Sequence, residues 1–125
     1  MRATRQLFVL GLLFAITLGA PAKAADYQLD ELVDGLDTPW SLAFLPGGDL
    51  LVTELPGRLR VIRNGKLVAA PVLGVPESLY GGQGGLMDVV LHPEFETNQM
   101  VYLSLSVGTS DASALRVVRG RFTGT

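Results

Sequence analysis

Residues 80–95 read YGGQGGLMDVVLHPEF, a glycine-rich loop followed at once by an apolar run that ends at a His-Pro pair. Glycine at this density lets the backbone take positive φ and lets a neighbouring segment approach closely. Gln83 is the one residue among these glycines whose side chain carries donors and an acceptor. A phosphate cradle is not expected, because such loops open helices and this one opens the strand-like run Met87–Leu91. Gln83 therefore either faces solvent on a hairpin loop or faces a ligand.

The apolar run after this loop repeats an earlier part of the chain, and Pro46 and Pro93 lie 47 positions apart. Repeats of about 40–50 residues with about four short strands each are typical of β-propeller blades. A β-sandwich would also have short strands, but it would not predict the same strand order twice. The sequence thus predicts an all-β chain with two propeller blades. The matching runs are Ser41–Pro46 with Met87–Pro93, Leu50–Glu54 with Met100–Ser104, and Leu59–Arg63 with Leu115–Arg119.

Other segments complete the predicted units. Asn64–Gly65 is a strong hairpin signal between two strand-like runs. We expect further strands over Tyr27–Leu36 and Lys66–Val72. The second unit is longer than the first, and its extra residues are expected in a loop around Gly108–Ala114.

Two blades do not close a propeller, which takes at least about four. Each blade buries its faces against its neighbours, so an isolated pair leaves two apolar outer faces in water. We therefore expect the chain to be the N-terminal part of a larger protein, with only about the first two blades present.

The N-terminus has the features of an export signal. Arg2 and Arg5 precede the apolar run Leu7–Ala20, and Ala22–Ala24 has the small-x-small pattern of a cleavage site. We predict a signal peptide over residues 1–24 and a propeller part over residues 25–125, in the periplasm or outside the cell. An uncleaved membrane anchor is the alternative, although the run is short for a span. After cleavage no stable membrane span is expected.

Composition narrows the range of functions. The chain has 12 acidic and 10 basic residues, and three of the basic ones lie in the predicted signal. No basic face follows from this balance, so nucleic acid is not an expected partner. The chain has no cysteine, which excludes disulfides, thiolate metal sites and cysteine nucleophiles.

Several segments in order, Leu36–Pro46, Leu51–Glu54 with Gly57–Arg60, and Gly82–Phe95, resemble the start of the glucose/sorbosone dehydrogenase family. Any one of them would be a weak signal, but the combination is specific. The family contains soluble periplasmic aldose sugar dehydrogenases that use pyrroloquinoline quinone (PQQ). The resemblance implies a six-bladed β-propeller, which agrees with the repeat.

The resemblance also implies a reaction, the oxidation of an aldose at C1 to a lactone. A histidine takes the proton of the C1 hydroxyl, the hydride moves to PQQ, and calcium polarises the quinone carbonyls. The resemblance fixes neither the natural sugar nor the electron acceptor. One position maps onto this chain: Gln83 matches the family's glutamine that faces substrate and cofactor. The catalytic histidine, the quinone contacts and the calcium ligands are expected beyond Thr125, so the chain alone should be inactive.

Three other residues are expected to have structural roles. His92 matches a His-Pro turn and is expected to be structural, and Trp40 is expected to pack more than to stack on a ligand. Asp88 lies in an apolar strand and should be hydrogen-bonded. A non-catalytic periplasmic propeller module and a propeller lactonase-type hydrolase are the alternative functions. The arginines expected on solvated strand faces are Arg58, Arg60, Arg63, Arg116, Arg119 and Arg121.

Overall fold

The structure is a computed structural model, and it describes residues 26–124. The predicted signal peptide, residues 1–24, lies outside the described residues. Within residues 26–124, no helix has the length and apolar character needed to cross a membrane.

The described chain folds into two antiparallel sheets, each a meander of consecutive strands. The first sheet has the order β1-β2-β3-β4 and the second has the order β5-β6-β7. One four-residue helix, α1, lies between β5 and β6. The predicted all-β class is confirmed. The elements are β1 (Pro39–Phe44), β2 (Leu50–Glu54), β3 (Arg58–Arg63), β4 (Lys66–Leu67), β5 (Leu86–Leu91), α1 (Phe95–Asn98), β6 (Met100–Gly108) and β7 (Ser113–Arg121).

The two sheets pack face to face, with β5 of the second sheet against β1 and β2 of the first. Thr53 on β2 is fully buried at this junction, and its hydroxyl donates to the Met87 carbonyl on β5. The matching runs Ser41–Pro46 and Met87–Pro93 thus lie in different sheets, as two blades require. The buried side chains between the sheets are Leu45, Leu51, Leu59, Val61, Leu86, Val89, Phe95, Val101, Leu103 and Leu105.

Two predicted strands differ from the structure. Tyr27–Leu36 forms no strand; Val33 and Leu36 instead pack on the face of the first sheet that points away from the second, which we call the outer face. The strand predicted over Lys66–Val72 is limited to Lys66–Leu67. The Val68 and Val72 amides still donate to β3 carbonyls, but Pro71 has no amide and interrupts a regular ladder.

The extra length of the second unit is divided between two places. Part of it forms the turn that contains α1. The rest lengthens the hairpin of β6 and β7, whose strands pair from Met100–Arg121 to Gly108–Ser113. The loop expected over Gly108–Ala114 is therefore shorter, and its Thr109–Ala112 turn is closed by backbone bonds of 3.0 and 3.2 Å.

Both outer faces of the pair carry exposed apolar side chains. Phe44 on β1 is 72% exposed, and Leu115 and Val117 on β7 are each 66% exposed. In a propeller these are the faces that neighbouring blades cover. The two sheets therefore expose the apolar outer faces that are expected of an isolated pair of blades.

Candidate functional site

The loop before β5 is a tight turn with Gln83 at its tip. The Gly84 amide donates to the Gly81 carbonyl at 2.9 Å, and the Gly81 amide donates to the Gly84 carbonyl at 3.3 Å. The φ angle is +57° at Gly82 and is not positive at Gln83, as in a type II′ turn. This turn type requires a residue such as glycine at its first central position. It leaves the Gln83 side chain exposed at the surface.

The base of this loop is held from both sheets. The Leu86 amide donates to the Leu55 carbonyl of the first sheet at 3.0 Å, and the Ser106 amide donates to the Gly85 carbonyl at 2.9 Å. A Cβ on Gly85 would lie 2.2 Å from the Leu55 carbonyl oxygen, so only glycine allows this approach. Gln83 thus lies at the junction of the two sheets, at the end where β5 begins.

Beside this junction, Asp37, Glu54, Arg58 and Arg60 form a charged group that we call the Glu54 cluster. Glu54 is fully buried, and its Oε1 accepts from the Asp37 amide at 2.7 Å. Its Oε2 accepts from Arg58 Nε at 2.5 Å, and Arg60 Nη1 lies 3.3 Å from both carboxylate oxygens. Arg58 also donates to the Asp37 carboxylate at 2.8 Å.

Arg58 and Arg60 were expected on a solvated strand face, and this expectation is wrong because both belong to the Glu54 cluster. Arg60 is only 9% exposed, and its Nη2 donates to the Val68 and Ala69 carbonyls at 3.1 and 3.4 Å. Arg58 is half-buried. The segment after β4 covers this face, so the arginines meet carboxylate and carbonyl oxygens instead of water. The expectation holds for the exposed Arg63, Arg116, Arg119 and Arg121.

The cluster keeps its carboxylates ionised. Burial raises the pKa of Glu54, but the Asp37 amide and the two arginines lower that pKa by more, so it falls below its usual 4.5. Hydrogen bonds from Arg58 and Thr38 lower the pKa of Asp37 below its usual 3.8. The same contacts with Glu54 and Asp37 raise the pKa of Arg58. These charges therefore stabilise one another.

His92 lies at the other end of β5 from Gln83. Its Nδ1 accepts from the Glu94 amide at 3.0 Å and lies 2.9 Å from Asn98 Nδ2. Its ring stacks on Tyr102 with centroids 6.1 Å apart. These contacts give His92 the structural role in the turn that the His-Pro pair predicted.

Asp88 lies on β5 and Trp40 lies on β1. The Asp88 carboxylate accepts from the Ser104 hydroxyl at 3.3 Å, so the expected hydrogen bond is present. Trp40 is 50% exposed on β1, and its packing role stays a prediction. Among residues 26–124, no three His, Cys, Asp or Glu side chains are grouped so as to hold a metal ion.

Residues 36–125 match the model of a protein family described as glucose/sorbosone dehydrogenase. The chain belongs to this family. Aldose sugar dehydrogenase YliI of Escherichia coli K12 is 41% identical over 119 residues, which cover 94% of this chain and 32% of that protein. A Synechocystis protein, slr1608, is 45% identical over 111 residues, covering 82% of this chain and 27% of its own length.

Solved structures of family members share the fold. The soluble aldose sugar dehydrogenase of Escherichia coli in its apo form superposes with a TM-score of 0.69 at 45% identity, over 74% of this chain and 27% of that one. The PQQ-bound aldose sugar dehydrogenase of Streptomyces coelicolor gives 0.64 at 32% identity, over 73% and 26%. The chain spans about a third or less of these relatives. Its two sheets are two blades of the family's β-propeller.

The sequence pattern indicated Gln83 as a candidate site residue, but it did not indicate that Glu54 is buried. A signal for it was present, because Glu54 and Arg58 flank the Pro56–Gly57 turn. A hairpin at that turn pairs the two residues directly, and the structure shows this register. What the pattern could not show is that the pair is covered from solvent.

Proposed function

We propose that this chain is the N-terminal part of a PQQ-dependent aldose sugar dehydrogenase, exported by a signal peptide over residues 1–24. The whole enzyme oxidises an aldose at C1 to the lactone in the periplasm. The observation that carries this is the family match over residues 36–125, joined to 32% identity with a structure described as PQQ-bound. The named relatives are aldose sugar dehydrogenases.

We assign to Gln83 a role facing the sugar or the cofactor. Its amide has two donors and one acceptor, which suit sugar hydroxyls and quinone carbonyls. It is exposed at the tip of a turn whose base is anchored to both sheets. Such an anchored loop can present a polar group to a ligand with little loss of conformational entropy on binding.

The described residues do not by themselves form a calcium site. When bound, PQQ would accept the hydride and calcium would polarise its carbonyls. A calcium site needs several oxygen ligands, and residues 26–124 present no group of three carboxylates or imidazoles for one. His92 lies at the wrong end of β5 to act beside Gln83. We therefore place the base, the metal ligands and most quinone contacts outside residues 26–124, and the chain alone should be inactive.

A non-catalytic propeller module is the second candidate. It is favoured by the position of His92, the only histidine in the chain, in a turn away from the candidate loop. A binding module would keep the exposed Gln83 loop but would not need a base beside it.

The test uses the complete protein, meaning the product of the whole open reading frame that contains this chain. Purified without cofactor, it should reduce an artificial dye with aldoses only after PQQ and Ca²⁺ are added. Gln83→Ala should lower kcat/KM for the aldose about tenfold, since one lost hydrogen bond to the transition state contributes about 1.4 kcal/mol.

Gln28→Ala is the matched control, because Gln28 is another exposed glutamine, and its kinetics should equal those of the wild type. If the reconstituted wild-type protein reduces no dye, the proposed dehydrogenase activity is wrong. If the enzyme is active and Gln83→Ala has wild-type kinetics, the role assigned to Gln83 is wrong.

A further inference from the structure

We propose that the Glu54 cluster positions Gln83 for the reaction by fixing the backbone turn on which the glycine loop rests. This inference rests on the proposed function. It adds a set of positioning residues that act through the backbone of the loop. Two contacts make this link, one from the cluster to the turn and one from the turn to the loop.

The first contact joins the cluster to the turn between β2 and β3. Glu54 begins this turn, and its carbonyl accepts from the Gly57 amide at 2.9 Å. The Glu54 side chain is fully buried and is held by the Asp37 amide and by both arginines. A carboxylate with this many charge-assisted hydrogen bonds has little freedom to move. The cluster therefore fixes where the turn begins.

The second contact joins the turn to the loop through Leu55. The Leu55 amide donates to the Thr38 carbonyl at 3.1 Å, and the Leu55 carbonyl accepts from Leu86 at 3.0 Å. The same carbonyl occupies the space that a Cβ on Gly85 would need. A shift of Leu55 must therefore shift Gly85 and Leu86, and Gln83 lies only two residues before Gly85.

Thr38 shows that this end of the sheet is tightly constrained. Its φ is +50°, which is uncommon for a β-branched residue. Such a conformation persists only where the surroundings hold it. Here the Asp37 amide is bound by Glu54 on one side, and the Thr38 carbonyl is bound by Leu55 on the other. The cluster and the turn together hold this backbone.

The kinetic test is a double-mutant cycle in the complete protein loaded with PQQ and Ca²⁺. Glu54→Gln keeps the side-chain shape and removes the charge that the arginines face. It should lower kcat/KM for the aldose about fivefold in the wild type and by less than about twofold when Gln83→Ala is already present. Equal losses in both backgrounds would mean that Glu54 acts independently of Gln83, and would overturn the inference.

Asp49→Asn is the matched control, because Asp49 and Arg63 form an ion pair of 2.8 Å at the opposite end of the same strands. It should leave kcat/KM unchanged. Arg58→Gln is a milder second variant, since Arg58 is half-buried, and it should show the same dependence on Gln83 if Glu54→Gln does not fold.

The structural test needs no cofactor and no activity. Amide hydrogen exchange at Leu86 should be at least about fivefold faster in Glu54→Gln than in the wild type, and unchanged in Asp49→Asn. Unaltered exchange at Leu86 in Glu54→Gln would overturn the inference. A wild-type protein without dehydrogenase activity would instead refute the proposed function, while the exchange experiment would still test the link from cluster to loop.

Discussion

The two ends of the first sheet use the same residue types for different purposes. At one end, Glu54 is buried between two arginines beside the Gln83 loop. At the other end, Asp49 pairs with Arg63, whose side chain is 46% exposed. Exposed ion pairs contribute little to stability, whereas a buried charge must keep its partners. Burial and the neighbouring backbone, and not the presence of an ion pair, therefore make one end suitable for holding a loop.

Glycine shows the same difference between the two ends. Gly47 and Gly48 at the Asp49 end have open space where a Cβ would stand. Their positive φ angles of 98° and 96° explain why glycine is used in that turn. At the Gln83 end, Gly85 is required because the Leu55 carbonyl of the other sheet approaches it closely. At this end a backbone contact between the two blades sets the requirement for glycine.

The largest expected effect comes from removing the buried carboxylate. Glu54→Ala leaves Arg60 buried without a charge partner and should lower the free energy of unfolding of the complete protein by about 3 kcal/mol. Asp49→Ala, the matched change at the other end, should cost less than about 1 kcal/mol. Urea denaturation followed by circular dichroism measures both. Equal losses would show that the two ends do not differ as the burial indicates.

A smaller loss of stability is expected from adding a side chain where the two blades approach each other. Gly85→Ala places a Cβ 2.2 Å from the Leu55 carbonyl oxygen and should cost about 2 kcal/mol, because one of the two segments must move. Gly81→Ala is the control within the same loop, since nothing lies within 4 Å of its Cβ position. Its urea midpoint should match that of the wild type. A wild-type midpoint in Gly85→Ala would contradict the close approach.

The smallest expected effect is the dependence of folding stability on pH. The pKa of Glu54 is lowered below 4.5 in the folded state, so the unfolded chain binds more protons as the pH falls through this range. The stabilisation is complete above about pH 4.5 and is lost as the pH falls through the folded pKa. Asp37 acts in the same direction.

Urea midpoints measured from about pH 6 to about pH 3 should therefore fall more steeply for the wild type than for Glu54→Gln. That variant retains the shape of the glutamate side chain but has no titrating carboxyl at position 54. Parallel curves for the two proteins would show that Glu54 does not carry this pH dependence.

Much of the fold followed from local patterns. The runs over Leu50–Glu54 and Leu59–Arg63 became β2 and β3, with β3 beginning one residue earlier, and Asn64–Gly65 formed the predicted hairpin with φ of +50° and +71°. Alternation and turn residues act through near neighbours, so they are readable without the rest of the chain. The strand expected over Tyr27–Leu36 was wrong because no neighbouring strand pairs with it.

The sequence by itself determined the repeat, the family and the position of Gln83 on a glycine turn, because these depend on residue order and local backbone preference. Only the tertiary structure decided that Glu54 and Arg60 are buried and that Gly85 touches Leu55. The alternation in β3 places Arg60 on the opposite face from Leu59 and Val61, but alternation does not say what covers that face. The segment after β4 folds back over it, and burial is a property of such contacts between elements.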